Sequence, residues 1–228
     1  RDQKPPAKLD RVCNGLKQAL PELKGAGLFL EQGKQSARLV QSWGEKSLIY
    51  ETADYHYRVG LGSFFQVNRF LVDALIDLAV RGRSGRLAWD LYAGVGLFAG
   101  ALADEFERVI AVESSPASNA DLRHNLQDAS SRVVEARTLD FLRKQKPSGG
   151  TPDLAVVDPP RAGLGQETTS LLSQIGPAEI VYVSCDPATL SRDLAALIQS
   201  GYDLRTITMV DMFPQTFHLE SVSVLVRR

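Results

Sequence analysis

A cysteine in the second half of the chain stands where a thiol could do chemistry. Cys185 lies in the stretch VYVSCDPATL, where it follows the apolar run Val181–Val183 and precedes an acid, a proline and a predicted helix start. A structural thiol behaves as a small hydrophobe and prefers the middle of a core element. The end of a buried strand is instead where ligands collect in parallel sheets. The position favours a reactive cysteine over a buried apolar one, and N–H groups of a helix beginning near Pro187 predict a lowered thiol pKa.

A second chemical feature is an acid that follows another apolar run. The stretch VVDPPRAGLG presents Asp158 at a predicted strand end, and the two prolines behind it predict a stiff, extended turn. A plain turn or helix cap is the alternative, although caps seldom need a proline pair. We expect Asp158 to lie at the same sheet edge as Cys185.

A glycine-containing turn predicts a cofactor site. In DLYAGVGLFAG, Gly94 and Gly96 lie where a strand leads into a helix, and the missing Cβ lets a ligand approach the backbone. The next strand ends in Glu113, whose carboxylate could accept hydrogen bonds from two ribose hydroxyls. The third glycine of the dinucleotide fingerprint is missing, which argues against NAD and favours a nucleoside cofactor without phosphates, such as S-adenosylmethionine. Asp140 in RTLDFL is then a candidate partner for the adenine amine, and a plain tight turn is the alternative.

The composition is that of a globular chain without a strong charge bias. Its 228 residues are 44% hydrophobic and 23% charged, with a formal net charge of -1, so a nucleic-acid partner would need a local basic patch. No run approaches about 18 consecutive apolar residues, and no apolar segment opens the chain, so we expect no membrane span, no signal peptide and a cytoplasmic location. Cys13 and Cys185 are too few for a disulfide framework, which fits a reducing compartment.

The elements before residue 85 predict a small β-rich region. A helix is predicted over 8–20, and four short strands separated by glycine-containing turns follow in GLFLEQG, ARLVQSWG, SLIYETA and YHYRVGLG. A linking helix is predicted over 68–81. Its predicted apolar face consists of Phe70, Leu71, Ala74, Leu75 and Leu78.

From residue 85 onward, buried strands alternate with amphipathic helices. The apolar runs LAWDLY, RVIAVES, SRVVEA, PDLAVVD and EIVYVSC predict a parallel sheet covered on both faces. The last two runs, LRTITMVDMF and LESVSVLVRR, have no helix between them and predict an antiparallel pair at the sheet edge. We therefore predict an α/β fold with an N-terminal region over 1–84 and a second domain over 85–228.

Six motifs resemble those of one enzyme family. From GSFFQVN at 62–68 to the C-terminus, the chain carries DLYAGVGLF, VESSPAS, VVDPPRAGLG, IVYVSCDPATLSRDL and DMFPQTFHLESV in the order of the RNA (uracil-C5)-methyltransferases. Each motif alone is weak, whereas the set is highly specific. The chain is thus similar to enzymes that make 5-methyluridine in transfer or ribosomal RNA.

The resemblance implies a Rossmann-like S-adenosylmethionine methyltransferase fold and roles for named residues. Cys185 would be the nucleophile that attacks C6 of uracil, and Glu220 the base that removes the C5 proton. An exposed strand acid is the alternative for Glu220. Asp158 joins the catalytic set, and the tail DMFPQTFHLES is more similar to the ribosomal-RNA branch of the family. By resemblance, the cofactor and uracil pocket is lined by Gln66, Tyr92, Gly94, Glu113 and Asp158, with Asp140 as a further cofactor residue.

The chain departs from the family in two respects. Members often carry an asparagine three residues beyond the first glycine of the turn, where this sequence has Leu97. Many members also have an N-terminal RNA-binding barrel and an iron–sulfur centre, and Cys13 alone cannot supply the four thiolates of such a cluster. The start at Arg1 favours a fragment of a longer member, and we expect no metal.

RNA contacts are predicted in YHYRVGLGSFFQVNRF, which precedes the linking helix. Flipping a uracil out of its stack costs a few kcal/mol, which protein contacts must offset. For most of these aromatic side chains, the sequence favours the alternative that they belong to the core of the β-rich region. The candidates are Tyr55, Tyr57, Phe64 and Phe65 for stacking and Arg58, Arg69 and Arg161 for phosphates.

Two other functions remain open. The turn DPPR resembles the DPPY and NPPY turns that hold a target amino group, which would suit a methyltransferase acting on an exocyclic amine and would not require the cysteine. A non-catalytic RNA-binding module with a vestigial cofactor fold is the third hypothesis. For each, we expect RNA as the partner, no membrane association and a monomer.

Overall fold

The N-terminal part combines a helix with two antiparallel strand pairs in the computed structural model, which describes residues 9–32, 35–128, 130–145 and 150–228. Its elements are α1 (Leu9–Ala19), β1 (Gly25–Gln32), β2 (Gln35–Gly44), β3 (Ser47–Glu51) and β4 (His56–Gly60). Strand β1 pairs with β2, and β3 pairs with β4. The predicted strands and first helix are confirmed, with residue 8 of the predicted helix outside the described residues.

The linking helix differs from its prediction. Helix α2 (Val72–Val80) begins four residues after the predicted start at 68. The side chain of Asn68 accepts a hydrogen bond from the Phe70 N–H at 3.2 Å and so closes a turn that competes with the helix. The apolar face is consequently displaced, because Phe70 is 86% exposed and Ala74 is also exposed. The buried face is formed by Val72, Leu75, Ile76, Ala79 and Val80.

A seven-stranded, mostly parallel sheet follows. In chain order its elements are β5 (Ala88–Leu91), α3 (Leu97–Glu105), β6 (Val109–Glu113), α4 (Pro116–Asn125), β7 (Ser131–Glu135), α5 (Thr138–Lys144), β8 (Leu154–Val157), α6 (Gly165–Ile175), β9 (Glu179–Ser184), α7 (Pro187–Gln199), β10 (Tyr202–Val210) and β11 (Glu220–Arg227). The strand order is β10-β11-β9-β8-β5-β6-β7. Strand β11 lies antiparallel to both β9 and β10, so the predicted α/β sheet with an antiparallel C-terminal pair is confirmed.

Both faces of this sheet are buried. Along β8, the side chains of Leu154 and Val156 pack into one apolar cluster, while those of Ala155 and Val157 pack into the other. This period of two explains why the parallel strands are continuous apolar runs in the sequence. Tyr57 of β4 belongs to the first cluster together with α2 and α3. The N-terminal region thus shares a core with the sheet, and the division at residue 85 stays a prediction.

The carboxyl ends of the parallel strands meet at one edge. Residue Leu91 of β5 is paired with Val112 of β6 on one side and with Val157 of β8 on the other. The chain therefore reverses its order across the sheet at β5, and in open α/β sheets ligands bind at such a switch point. The residues that follow these strand ends face one another across the same edge.

Candidate active site

A cavity of about 630 Å³ opens at this edge, and most of the predicted site residues line it. Its volume is in the range of small-molecule and cofactor sites. Among the described residues that line the cavity, neither Gly96 nor Asp140 is found. The predicted residues that do line it are Gln66, Tyr92, Gly94, Glu113, Asp158, Cys185 and Glu220.

The turn between β5 and α3 forms the floor of the cavity. Tyr92, Gly94 and Gly96 have φ angles of 68°, 56° and 97°, so three of five residues adopt left-handed backbone conformations. A Cβ on Gly96 would lie 2.8 Å from Leu122 Cδ1, which explains that glycine as a packing requirement. A Cβ on Gly94 would meet no protein atom within 4 Å and would instead enter the space available to a ligand.

Glu113 is fixed at the end of β6 by backbone amides. Its Oε2 accepts from the Gly94 N–H at 2.9 Å, and its Oε1 accepts from the N–H groups of Ser114 and Ser115 at 2.6 Å each. The Ser114 hydroxyl is a fourth and longer donor, 3.4 Å from Oε1. Ser115 also caps α4 by accepting from Ser118. The carboxylate is therefore preorganised and points to the glycine turn.

Cys185 and Glu220 are brought together by the register of two antiparallel strands. Ser184 at the end of β9 is paired with Ser221 of β11, and the Ser221 hydroxyl donates to the Ser184 carbonyl oxygen at 3.2 Å. Cys185 directly follows the end of β9, and Glu220 is the first residue of β11. The two residues therefore lie at the same sheet edge. Both line the cavity.

The predicted lowering of the thiol pKa is wrong. Burial raises the pKa of Cys185, and the charges of Glu220 and Asp158 raise it further, while Arg161 opposes them. The start of α7 was expected to lower the thiol pKa through its free N–H groups. One of these groups is already bound, because the Asp186 side chain accepts the N–H of Thr189 at 2.8 Å. Burial, together with two neighbouring carboxyl groups, thus outweighs the effect of the N-terminus of α7 on the thiol pKa.

The carboxyl groups around the thiol are themselves protonated more readily than usual. Burial raises the pKa of Glu220 to about 7, and only 4% of this residue is exposed. Burial also raises the pKa of Asp158 well above its usual range, with additional contributions from Glu220 and Asp90. Crowded carboxyl groups in a poorly solvated cavity disfavour one another's ionisation. Near neutral pH the site therefore holds protons that chemistry can move.

Asp90 is a buried acid that sequence reasoning missed. It lies on β5 below the glycine turn, it is fully buried, and neither carboxylate oxygen has a hydrogen-bond partner of normal geometry among the described residues. Burial raises its pKa to about 7, and the charge of Glu113 adds to this effect, while the Ala99 backbone amide lowers it. The sequence signal for Asp90 is an acid inside the apolar run LAWDLY.

Gln66 reaches the cavity on the loop after β4, and helix α4 holds that loop in place. Gln66 is 7% exposed, and its Oε1 has no hydrogen-bond partner among the described residues. On α4, buried Asp121 accepts hydrogen bonds from the Gly60 N–H at 2.7 Å and the Ser63 hydroxyl at 2.6 Å. A buried acceptor aimed into a cavity is a site where a ligand donor would bind. The sequence analysis missed Asp121.

Asn125, one turn further along α4, forms hydrogen bonds to both β4 and the glycine turn. Its Oδ1 accepts from the Arg58 N–H at 2.8 Å, and its Nδ2 donates to the Arg58 carbonyl at 3.0 Å and to the Val95 carbonyl at 2.9 Å. Arg58 belongs to β4, whereas Val95 belongs to the glycine turn. The helix that begins beside Glu113 therefore also positions the loop carrying Gln66.

Asp140 lies outside the cavity lining, whereas Leu97 is part of it. Asp140 lies on α5 and forms an ion pair with Arg143 at 3.3 Å, and its role toward adenine stays a prediction. Leu97 lines the cavity and is 7% exposed, and its carbonyl accepts the Tyr57 hydroxyl at 2.9 Å. The position that carries asparagine in many members is here apolar and anchored to β4.

The aromatic candidates for RNA contact separate into buried and exposed side chains. Tyr57 is 2% exposed, Phe65 packs on Tyr50 with a ring-centroid distance of 4.4 Å, and the Tyr55 hydroxyl donates to Asp104 at 2.8 Å. These three rings are committed to packing or to intramolecular contacts, as the alternative interpretation anticipated. Phe64, by contrast, is 65% exposed and lines the cavity.

The basic candidates also differ. Arg58 forms an ion pair with Asp121 at 3.4 Å, so part of its charge is neutralised. Arg69 lies over the ring of Phe70 at 5.8 Å, and Arg161 lies at the cavity with its Nη2 3.1 Å from His218 Nε2. Arg69 and Arg161 are exposed and remain candidates for phosphate contacts.

The residues of the cavity fit a nucleoside cofactor. The cavity offers a fixed carboxylate at Glu113, backbone approach at Gly94, and an unpartnered acceptor at Gln66. Such a set suits hydroxyl and amine donors, and the turn lacks the third glycine of the dinucleotide fingerprint. In the part of the chain that the structure describes, no group of three His, Cys, Asp or Glu side chains is placed to hold a metal ion. No described helix is long and apolar enough to span a bilayer.

Comparison with known proteins gives the same assignment. The sequence pattern of the family described as tRNA (Uracil-5-)-methyltransferase matches residues 28–141 and 151–228. An uncharacterized RNA methyltransferase of Streptomyces avermitilis is 42% identical over 188 residues, which cover 79% of this chain and 43% of that protein. A second one, from Streptomyces coelicolor, is 37% identical over 92% of this chain and 47% of its own length. The chain thus spans about half the length of these curated relatives.

A solved structure supports the fold and the cofactor. The tRNA (uracil-54, C5)-methyltransferase of Pyrococcus abyssi, in complex with S-adenosyl-L-homocysteine, superposes with a TM-score of 0.70 at 30% identity, covering 86% of this chain and 49% of that one. The Rossmann-like methyltransferase fold and the S-adenosylmethionine prediction are thereby confirmed. Since the family pattern covers most of the chain and a solved relative shares its sheet, the chain belongs to the tRNA (uracil-5-)-methyltransferase family.

Proposed function

We propose that this protein methylates C5 of a uridine in RNA through a covalent bond between Cys185 and C6 of the base. The observation that carries the proposal is the β9–β11 register, which places Cys185 beside Glu220 in the cavity that also contains Glu113. A thiol, a general base and a nucleoside-binding carboxylate at one edge are the parts that this reaction needs. The roles of all predicted site residues are part of this proposal.

The cysteine is needed because C5 of uracil is a poor nucleophile. When the Cys185 thiolate adds to C6, the C5–C6 π electrons move to the O4 carbonyl and give an enolate whose negative charge reaches C5. Asp158 lies in the same cavity and has a raised pKa. A carboxylic acid kept neutral by its surroundings can donate a hydrogen bond to a developing enolate oxygen, and we assign Asp158 this role.

The base is needed to release the product. S-adenosylmethionine, when bound, supplies the electrophilic methyl group that C5 attacks. Glu220 then takes the C5 proton, the C5–C6 double bond forms again, and the Cys185 thiolate leaves. The proton on Glu220 returns to solvent, so the protein ends as it began. A pKa of about 7 for Glu220 suits a base that accepts and releases a proton near neutral pH.

RNA is the proposed substrate, and the cytoplasm is the proposed place of action. The ribosomal-RNA preference inferred from DMFPQTFHLES stays a prediction, since the matching family is described by tRNA. In either RNA, the target base must leave its stack to reach a thiol that is recessed at the sheet edge. Gln66 and Phe64 border the cavity where that base would enter.

The proposal is tested with RNA that contains 5-fluorouridine. Because fluorine cannot leave as a cation, methyl transfer onto such a base should leave Cys185 bonded to RNA, giving a shifted band on a denaturing gel only when S-adenosylmethionine is present. Nucleoside mass analysis of unmodified tRNA and ribosomal RNA pools should show 5-methyluridine in one pool. Methylation of RNA without any covalent band would exclude the cysteine mechanism, and methylated adenosine or guanosine would favour the exocyclic-amine alternative.

A further inference from the structure

Three phenylalanines of this chain are exposed, and all three belong to segments that contribute lining residues to the cavity. The chain has nine phenylalanines, all within the described residues, and six of them are buried or partly buried. Phe64, Phe70 and Phe217 are 65%, 86% and 91% exposed. Aromatic side chains are among the largest apolar surfaces of a protein, so a cluster of exposed rings marks an interaction site more often than scattered apolar residues do. We call these three residues the aromatic rim.

The rim belongs to two segments that also contribute cavity walls. Residues 62–70 carry Phe64 and Phe70 and include the lining residue Gln66, while residues 211–219 carry Phe217 and lead into the lining residue Glu220. The two segments touch, because the Asn68 side chain donates to the Asp211 carbonyl at 3.3 Å. The two segments that carry the rings are therefore joined to each other, and both reach the cavity.

Each outer ring is accompanied by a cation. The guanidinium of Arg69 lies 5.8 Å from the ring centroid of Phe70. The ring of Phe217 lies 4.1 Å from that of His218, and His218 in turn contacts the guanidinium of Arg161. Alternating rings and guanidinium groups match a single-stranded nucleic acid, whose bases offer flat faces and whose phosphates offer negative charge. A protein partner would not require that alternation.

We propose that the aromatic rim is a stacking platform for the unpaired nucleotides on either side of the target uridine, with Arg69 and Arg161 meeting their phosphates. This inference rests on the proposed function, because it names how the RNA around the methylated base is held. In this arrangement the neighbouring bases stack on Phe70 and Phe217. Their stacking offsets the cost of turning the uridine into the cavity.

The test uses the aromatic and aliphatic replacements of the two outer rings. Phe70→Ala and Phe217→Ala should each weaken binding of a fluorescently labelled single-stranded RNA of about 12 nucleotides with one uridine by about 5- to 100-fold, measured by anisotropy. Phe70→Trp and Phe217→Trp should bind like the unchanged protein, whereas Phe70→Leu and Phe217→Leu should resemble the alanine variants. Ile207→Ala is the matched control, since Ile207 is 51% exposed on the edge strand β10.

Binding and methylation report on separate claims. If the alanine variants keep the RNA affinity of the unchanged protein, or if leucine restores it fully, the stacking platform is wrong. If the unchanged protein binds RNA through the rim but forms no 5-methyluridine in any RNA, the proposed function fails while the platform stands. S-adenosylmethionine affinity, measured by calorimetry, should be the same in all of these variants, and a loss there would point to damage of the fold.

Discussion

The two halves of the cavity are built on opposite electrostatic principles. We call the half that we assign to the cofactor the cofactor half. In it, Glu113 accepts hydrogen bonds from three backbone N–H groups, so its negative charge is compensated without a ligand. We call the half that we assign to the uracil the base half, and in it Asp158, Cys185 and Glu220 all have raised pKa values. Burial disfavours the charged form of each group, and neighbouring carboxyl groups add to this effect for Asp158 and Cys185. The first half is prepared to bind a ground state. In the second half, the charged forms of the three reacting groups are disfavoured by their surroundings.

The two halves also differ in the contacts that hold their residues in position. Helix α4 connects the cofactor carboxylate to the loop carrying Gln66 through Asp121 and Asn125. Asn125 bonds only to backbone groups, whereas Asp121 accepts from the Gly60 N–H and the Ser63 hydroxyl. The base half relies on strand register, with Ser184 opposite Ser221. A substitution in the first half should therefore weaken binding, and one in the second half should slow chemistry while leaving binding intact.

The largest effect is expected at Cys185. Cys185→Ala should reduce methylation of RNA by about 10⁴-fold or more, because without the thiol no enolate forms at C5. Affinity for S-adenosylmethionine should stay within twofold, since the thiol acts on the base. Radiolabelled methyl incorporation and calorimetry measure the two quantities. Residual methylation close to that of the unchanged protein would favour the exocyclic-amine alternative.

Glu220→Gln should have the next largest effect and a different signature. The thiol can still add to C6 and C5 can still be methylated, but the C5 proton is not removed, so turnover should fall by about 10²- to 10⁴-fold. A protein–RNA adduct should accumulate on a denaturing gel. An inactive variant without adduct would contradict the role of Glu220 as the base.

The pH dependence of turnover in the unchanged protein also tests the role of Glu220 as the base. Glu220 must be ionised to act, and its pKa is raised from 4.5 to about 7, so turnover should increase as the pH rises from 6 to 8. The raised pKa of Cys185 acts in the same direction, because only the thiolate attacks. In Glu220→Gln, adduct formation should keep the cysteine part of this dependence. A turnover that is flat over that range would contradict both assignments.

Glu113→Ala tests the half that is prepared for binding. Removing the carboxylate should weaken S-adenosylmethionine binding by about 1.5 to 3 kcal/mol, the range for a hydrogen bond to a charged group. At saturating cofactor, the rate of methyl transfer should recover to within a fewfold of the unchanged protein. Titration calorimetry gives the affinity, and an unaltered value would remove Glu113 from the cofactor site.

The smallest effect is expected at Asp121, which touches no ligand. In Asp121→Asn, the amide oxygen can still accept from Gly60 and Ser63, but the amide nitrogen then replaces the oxygen that pairs with Arg58, and the negative charge is lost. The loop carrying Gln66 should therefore loosen, and the free energy of unfolding should fall by about 1 to 3 kcal/mol. The KM for RNA should rise by about 3- to 10-fold while kcat changes less, which separates a positioning role from general instability. Ser63→Ala, which removes a single donor to Asp121, should give a smaller change in the same direction.

The site residues at the ends of the parallel strands could be predicted from the sequence, in both halves of the cavity. Buried strands of a parallel sheet are continuous apolar runs, and the residue that ends such a run faces the functional edge, which is how Glu113, Asp158 and Cys185 were located. The glycine turn can be predicted from the sequence because few residues other than glycine adopt its backbone angles. Glu220 and Gln66 were assigned through the family resemblance, as a strand acid or a loop amide carries no such signal.

The remaining features depend on distances that the sequence does not contain. The thiol pKa was predicted in the wrong direction because a helix start is visible in the sequence, whereas the proximity of Glu220 is a matter of strand register. Asp121 and Asn125 act on partners about 60 residues away in the chain, so nothing local marks them. Phe70 was assigned to a helix face, and its exposure followed only from the turn closed by Asn68.

The strand β11 also has a consequence for how this site can change during evolution. Glu220 is paired with Val210 on one side and lies next to the Ser184–Ser221 pair on the other, so strand pairing fixes its position independently of the loop over 211–219. That loop can therefore exchange or insert residues such as Phe217 without moving the base. In the proposed mechanism, substrate choice and bond-making chemistry therefore lie in separable parts of the chain, and we expect new RNA targets to be accessible by mutation while the proposed catalytic residues keep their positions.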